Sequence, residues 1–110
     1  MTTTKESRLS VDETVARLEG VIAAKGLKLF AVFDHSGEAE EHGLALRNTK
    51  VVVFGSPEAG TPVMQADPLA ALELPLKVLV WDDDGRTRLA YAPPAELRAG
   101  VDAVTDAALA

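Results

Sequence analysis

A chain of 110 residues with 47% hydrophobic content is the size of one domain built around a single core. Its 17 acidic and 11 basic residues give a formal net charge of −6, and no lysine and arginine cluster provides the basic surface that nucleic acid requires. The acidic balance also disfavours an anionic membrane surface, and the absence of cysteine excludes disulfides, thiolate nucleophiles, zinc–thiolate sites and iron–sulfur clusters.

The chain shows no targeting or membrane-spanning segment. Residues 1–8 lack the apolar stretch of a secretory signal, and no apolar run approaches the roughly 20 residues that cross a bilayer. We therefore expect a cytoplasmic protein in which residues 1–110 form one domain, with neither nucleic acid nor membrane as a partner.

The chain begins with an edge strand and a helix. Residues 2–9 carry three threonines, which weakly favours a strand. Ser10 and Glu13 have the spacing of a capping box, and the apolar residues that follow recur on one helical stripe. The pattern predicts a helix over 11–25 that Gly26 terminates.

A strand, a short helix and a second strand are expected next. Residues 27–34 are rich in aromatic and branched residues and predict a strand. Ser36 is the expected N-cap of a short helix over 37–43. Residues 51–54 form an apolar run typical of a central strand covered on both sides.

Turn and cap residues organise the second half. Thr61 and Pro62 resemble the N-cap and first position of a helix, and Pro68 suits the first turn of a short helix over 68–73. A strand is expected over 76–81, and a turn at Asp83-Asp84-Gly85 leads into a second strand through Thr87, Leu89 and Tyr91. The chain then continues as a helix whose apolar face carries Leu97, Val101, Val104 and Ala108.

The order of elements is β-α-β-(short α)-β-(short α)-β-β-α, which predicts an α+β fold. One hairpin and few long crossovers favour a mainly antiparallel sheet with its two longer helices on one face. Leu79 and Trp81 are apolar on the strand face opposite Val78 and Val80, where a one-sided sheet normally shows polar residues. A second copy of the chain is the simplest cover for that face, so we expect a homodimer.

Several motifs together resemble the family called domain of unknown function 302. They are Asp34-His35, Gly43-Leu44-Ala45-Leu46, the segment from Phe54 to Met64, the segment from Leu74 to Trp81, and Tyr91. The resemblance spans nearly the whole chain. It implies a TBP-like β-α-β4-α fold with short helical insertions, makes dimerisation plausible, and implies no biochemical role. Glu58 stands where the family frequently has lysine.

The segment from Gly55 to Pro62 is the first candidate site. If it is a loop entering a helix at Thr61, the free amides of that helix and the close approach allowed by Gly55 and Gly60 favour an anion. The segment equally suits a structural turn, with the glycines at positive φ and Thr61 acting only as a cap.

Histidines and a lysine supply the other candidates. Asp34 and His35, with Glu38 and His42 nearby, suit an acid–base pair or an oxygen–nitrogen metal site, although the spacing matches no established metal motif. Lys77 lies among apolar neighbours, where burial lowers the pKa of an amine; it also suits a lysine whose stem packs and whose ammonium reaches water.

Three functions are compatible with these residues. The first is a homodimeric domain that binds a small molecule at Asp34, His35, Gly55, Gly60, Thr61 and Lys77. The second is an enzyme that uses Asp34 and His35, with or without a metal. The third is a protein-interaction module that docks its partner on the second sheet face. Neither the ligand, nor a cofactor, nor a pathway follows from the sequence.

Overall fold

Five strands and four α-helices make up the computed structural model, which describes residues 1–110. The strands are β1 Thr3–Ser7, β2 Lys28–Asp34, β3 Thr49–Gly55, β4 Leu76–Asp83 and β5 Arg86–Tyr91. The helices are α1 Val11–Ala24, α2 His35–Glu41, α3 Pro57–Ala66 and α4 Arg98–Leu109, with 3₁₀ turns at Pro68–Leu72 and Ala95–Leu97. None of the helices is long and apolar enough to traverse a bilayer.

The strands form one antiparallel sheet in the order β1-β5-β4-β3-β2. Helices α1 and α4 pack against one face, and the core between them and the sheet consists mainly of valine, isoleucine and leucine side chains, together with Phe54 and Tyr91. The α+β class, the antiparallel sheet and the placement of the two longer helices are confirmed.

Helix α1 forms where its cap predicts. The Ser10 hydroxyl accepts from the Glu13 amide, and the Glu13 carboxylate accepts from the Ser10 amide, both at 3.1 Å. At the other end Gly26 takes φ +71°, and the amide of Leu27 donates to the carbonyl of Ile22. These bonds satisfy the amides and carbonyls that a helix end otherwise leaves unpaired.

The hairpin between β4 and β5 also follows the prediction. Asp84 and Gly85 both have positive φ, 55° and 90°, the conformation of a two-residue turn that matches the twist of the flanking strands. The amide of Gly85 donates to the Asp82 carboxylate at 2.7 Å.

Helix α2 begins earlier than expected. Asp34 is its N-cap and accepts from the amide of Gly37 at 2.9 Å, so the predicted range 37–43 is wrong by two residues. The Ser36 hydroxyl, expected to cap the helix, instead donates to Asp34 and accepts from the amide of Thr49. His35 is consequently the first residue of the helix.

Helix α3 replaces the expected loop. Ser56 caps it and Pro57 occupies the first helical position, so the prediction of Thr61 as N-cap is wrong. Ser56-Pro57 carries the same cap-and-proline signal as Thr61-Pro62 five residues earlier, and the earlier one starts the helix. Gly60, Thr61 and Pro62 therefore lie inside α3.

The face of the sheet opposite α1 and α4, called here the outer face, has no helix over it. It carries Val51, Leu79 and Trp81, which are only partly buried, and Phe33, which is 54% exposed. An irregularity between Leu29 and Ala31 interrupts the alternation of β2. As a result the Phe30 ring also lies on this side, next to Gly55.

Candidate ligand-binding site

An apolar pocket of about 320 Å³ opens at the end of the sheet where β3 stops and β2 and β4 start. Its volume lies at the lower end of the roughly 300–1,000 Å³ that ligand sites occupy. It is lined by Phe30, Gly55, Ser56, Pro57, Ala59, Gly60, Thr61, Met64, Ala71, Leu74, Pro75, Leu76 and Leu97. None of these residues is charged.

Two glycines, Gly55 and Gly60, form part of the pocket wall. A Cβ on Gly55 would lie 3.1 Å from Cε2 of Phe30, which is tighter than most packing contacts, so any larger residue would require the Phe30 ring to shift by a few tenths of an ångström. A Cβ on Gly60 would lie 3.6 Å from Cδ1 of Leu74 and 3.9 Å from Cε of Met64. Those distances are normal van der Waals contacts, so a methyl group there would occupy space that the pocket now leaves open.

The N-terminus of α3 offers little to an anion. Pro57 has no amide hydrogen, and the amides of Ala59 and Gly60 donate to Ser56, to its hydroxyl and its carbonyl respectively. Only the amide of Glu58 remains, and the Glu58 carboxylate repels a negative ligand. The geometry therefore disfavours the phosphate cradle that the free amides of an uncapped helix would form.

Asp34 and His35 lie at the opposite end of β2 from this pocket. Lys28 pairs with Gly55, whereas Asp34 pairs with Lys50 six residues further along, a separation of about 20 Å at 3.3 Å per residue. The Ser36 hydroxyl and the Gly37 amide donate to Asp34 and hold the pKa of its carboxyl below the usual range. That carboxylate caps α2.

Asp34 borders a second, polar cleft together with Asp12 and Lys50. Lys50 Nζ and Asn48 Nδ2 donate to Asp12 Oδ1 at 2.8 and 3.0 Å, and the Lys50 ammonium, followed by the Asn48 amide, lowers the pKa of Asp12. These groups bond to one another and fasten the loop before β3 to the first turn of α1. His35 does not line this cleft.

The histidines do not meet in a metal site. His42 Nδ1 lies 3.1 Å from the carbonyl oxygen of Glu38, within its own helix turn. His35 is exposed, and no three histidine, aspartate or glutamate side chains converge closely enough to hold an ion. Asp34, His35, Glu38 and His42 therefore do not form the metal site that was one of the two interpretations of these residues.

Lys77 lies on the outer face, opposite Val53 on the neighbouring strand. Its side chain is exposed and its Nζ donates to the carbonyl of Pro75 at 3.0 Å. Of the six residues expected to form one site, Gly55, Gly60 and Thr61 line the pocket, while Asp34, His35 and Lys77 lie elsewhere.

Sequence reasoning missed most of the pocket wall. Phe30, Met64, Leu74 and Leu97 come from separate elements, and each one alone resembles an ordinary core residue. The sequence did contain one signal for the pocket, Ser56-Pro57. An N-cap residue and a proline directly after a strand predict a helix that begins at the end of the sheet.

Residues 3–110 match the family model "Domain of unknown function DUF302". The chain belongs to the DUF302 family. A DUF302 protein of Bacillus stearothermophilus, whose crystal structure is described as that of an uncharacterized conserved protein, superimposes with a TM-score of 0.78 at 22% identity, covering 97% of this chain and 86% of that one. At that identity the likeness establishes the shared DUF302 fold.

Curated proteins that are similar to this DUF302 chain are named as fluoride-specific ion channels. The chain is 39% identical over 95 residues to Fluoride-specific ion channel FluC 1 of Brucella suis and to FluC 2 of Brucella melitensis. The match covers 86% of this chain but only 37% and 35% of those proteins. The chain thus spans little more than a third of their length.

Proposed function

We propose that this DUF302 chain is a small-molecule-binding domain whose site is the apolar pocket between α3 and the start of β4. The observation that carries the proposal is the pocket wall itself. Phe30, Met64 and Leu74 leave open a concave apolar space beside a helical glycine, and concave apolar sites with a few polar groups are where proteins bind small ligands.

A glycine-to-alanine pair tests the pocket. Gly60→Ala adds a methyl group between Leu74 and Met64, whereas Gly20→Ala adds one in α1 with no atom within 4 Å. Both changes favour the helix by up to about 1 kcal/mol. Only Gly60→Ala obstructs the site. A ligand in the pocket would be crowded by the new methyl group, and a crowding cost of about 1–3 kcal/mol in the free energy of binding corresponds to at least roughly fivefold weaker binding.

The measurement starts from a thermal-shift screen of a metabolite library, followed by amide NMR titration of each hit. We expect hits that move the amides of Gly55, Gly60 and Leu74 and that bind Gly20→Ala as tightly as the unmodified chain. A flat screen, or hits that bind Gly60→Ala undiminished, would contradict the assignment.

We also propose that a second copy of the chain covers the outer face. Phe33 is 54% exposed there and lies opposite Val51 on the adjacent strand, and apolar patches of this kind mark interfaces. Sedimentation should show a dimer that Phe33→Asp dissociates. Leu44→Asp is the control, since Leu44 is 66% exposed in the loop after α2. A monomer at high micromolar concentration would refute the dimer.

A second candidate role is that of an accessory domain acting with a fluoride channel. Its support is the 39% identity to part of two proteins named as fluoride-specific channels. We expect deletion of the matching segment from such a protein to leave an assembled channel with altered fluoride efflux from vesicles. Unchanged efflux across the range of fluoride concentrations would count against this role.

A further inference from the structure

We infer that the pocket takes an uncharged molecule with an apolar body and one hydrogen-bonding group, and that this group meets the hydroxyl of Thr61. The inference rests on the proposed function and adds the chemical class of the ligand. It follows from which polar groups surround the pocket and which of them are already bonded.

The interior of the pocket cannot compensate an ion. None of its lining residues is charged, and the transfer of an unpaired ionised group from water into such surroundings is strongly unfavourable. At the start of α3 the amides of Ala59 and Gly60 are bonded to Ser56, which leaves only the amide of Glu58. Two cations lie just outside the lining: Lys77 Nζ donates to the carbonyl of Pro75 at 3.0 Å, and Lys28 Nζ lies over the Phe30 ring, 5.2 Å from its centroid.

Two hydroxyls line the pocket, and they differ in availability. Ser56 Oγ already accepts from the Ala59 amide. Thr61 lies five residues further along α3, is an exposed residue, and its hydroxyl is bonded to no other group of the chain. A hydroxyl donates and accepts, so it can pair with an alcohol, a phenol or a carbonyl.

Four aromatic probes that share one methylphenyl body separate the possibilities: p-cresol, toluene, p-toluate and 4-methylbenzylammonium. Their dissociation constants are measured by amide NMR on the unmodified chain and on Thr61→Val, which keeps the branched shape and removes the hydroxyl. We expect p-cresol to shift the Gly55 and Gly60 amides and to bind at least about tenfold more tightly than either ion. Thr61→Val should weaken p-cresol by roughly two- to tenfold, the range of one neutral hydrogen bond, and leave toluene unchanged.

The possible outcomes test the ligand class and the pocket function separately. If p-toluate or the ammonium probe binds the pocket as tightly as p-cresol, the ligand class is wrong and the pocket function survives. If Thr61→Val weakens p-cresol and toluene equally, Thr61 contributes shape and not a hydrogen bond, which overturns its assigned role. If no probe moves the pocket amides, the proposed function fails and the ligand class with it.

Discussion

Removing the hydroxyl of Tyr91 should destabilise the fold, because that hydroxyl forms hydrogen bonds to two side chains of α4. Tyr91 ends β5 and is 3% exposed. Its hydroxyl donates to Asp102 Oδ1 at 2.5 Å and lies 3.2 Å from Thr105 Oγ1 on α4. Lys5 of the edge strand β1 donates to the same Thr105 hydroxyl at 2.7 Å. Tyr91→Phe keeps the ring and removes the group that joins these side chains.

The magnitude follows from the partners. A hydrogen bond to a charged group contributes about 1.5–3 kcal/mol. The Asp102 side chain is 42% exposed, so water replaces part of the lost bond and the lower figure applies. We expect a loss of about 1.5 kcal/mol in the free energy of unfolding, which lowers the Tm of a domain this size by roughly 6 °C.

Urea unfolding of Tyr91→Phe, Asp102→Ala and the double variant measures this bond directly. A double-mutant cycle isolates the coupling between the two side chains when each single change introduces no new contact. We expect a coupling energy of about 1 kcal/mol or more. A coupling indistinguishable from zero, or a loss below about 0.3 kcal/mol for Tyr91→Phe, would refute the argument.

Three further predictions concern caps and charges. Ser10→Ala should lower the free energy of unfolding by about 1 kcal/mol in urea melts; no change would mean that the cap bonds contribute nothing. Because its partner Lys50 lowers the pKa of Asp12 below the usual 3.8, the stability from that pair is present above this value and is lost as pH falls through the lower folded-state pKa. Asp12→Asn should therefore flatten the acid limb of the stability curve and cost less than about 1 kcal/mol at neutral pH, since the pair is exposed; an unchanged acid limb would contradict this. Gly26→Ala should destabilise by about 1 kcal/mol, because φ is +71° there. Gly100→Ala in α4 should instead be stabilising, and equal effects on thermal melts would count against the strain at Gly26.

Local signals predicted the elements that depend on near neighbours. The capping box at Ser10, the stop at Gly26 and the Asp84-Gly85 turn each involve bonds within a few residues, and each formed where expected. The start of α2 was wrong because two caps compete there. Asp34 is the N-cap, because the Ser36 hydroxyl accepts instead from the amide of Thr49, thirteen residues away. That contact forms only when β3 is in place in the sheet.

The site was harder to predict because its parts depend on strand register. Gly55, Gly60 and Thr61 meet in the pocket, since they are close in sequence. Asp34 was expected to join them, but antiparallel pairing places it opposite Lys50, at the other end of β3 from Gly55. Phe30 reaches the pocket only because an irregularity in β2 reverses which face its ring occupies, and a strict alternation of faces places it on the other side.

Helix α3 carries two residues that its own stability disfavours, and one of them, Gly60, lines the pocket. Gly60 is buried in the helix although a methyl group would fit its surroundings, and alanine would favour the helix by about 1 kcal/mol. Pro62, two residues later, cannot donate the bond to the carbonyl of Glu58 that any other residue would make. Residues that break local rules without a packing reason tend to occur at functional sites. Packing at Gly60 tolerates alanine, so the proposed ligand site offers the reason for glycine at this position: it leaves open the volume beside Leu74 and Met64 that an alanine methyl group would enter.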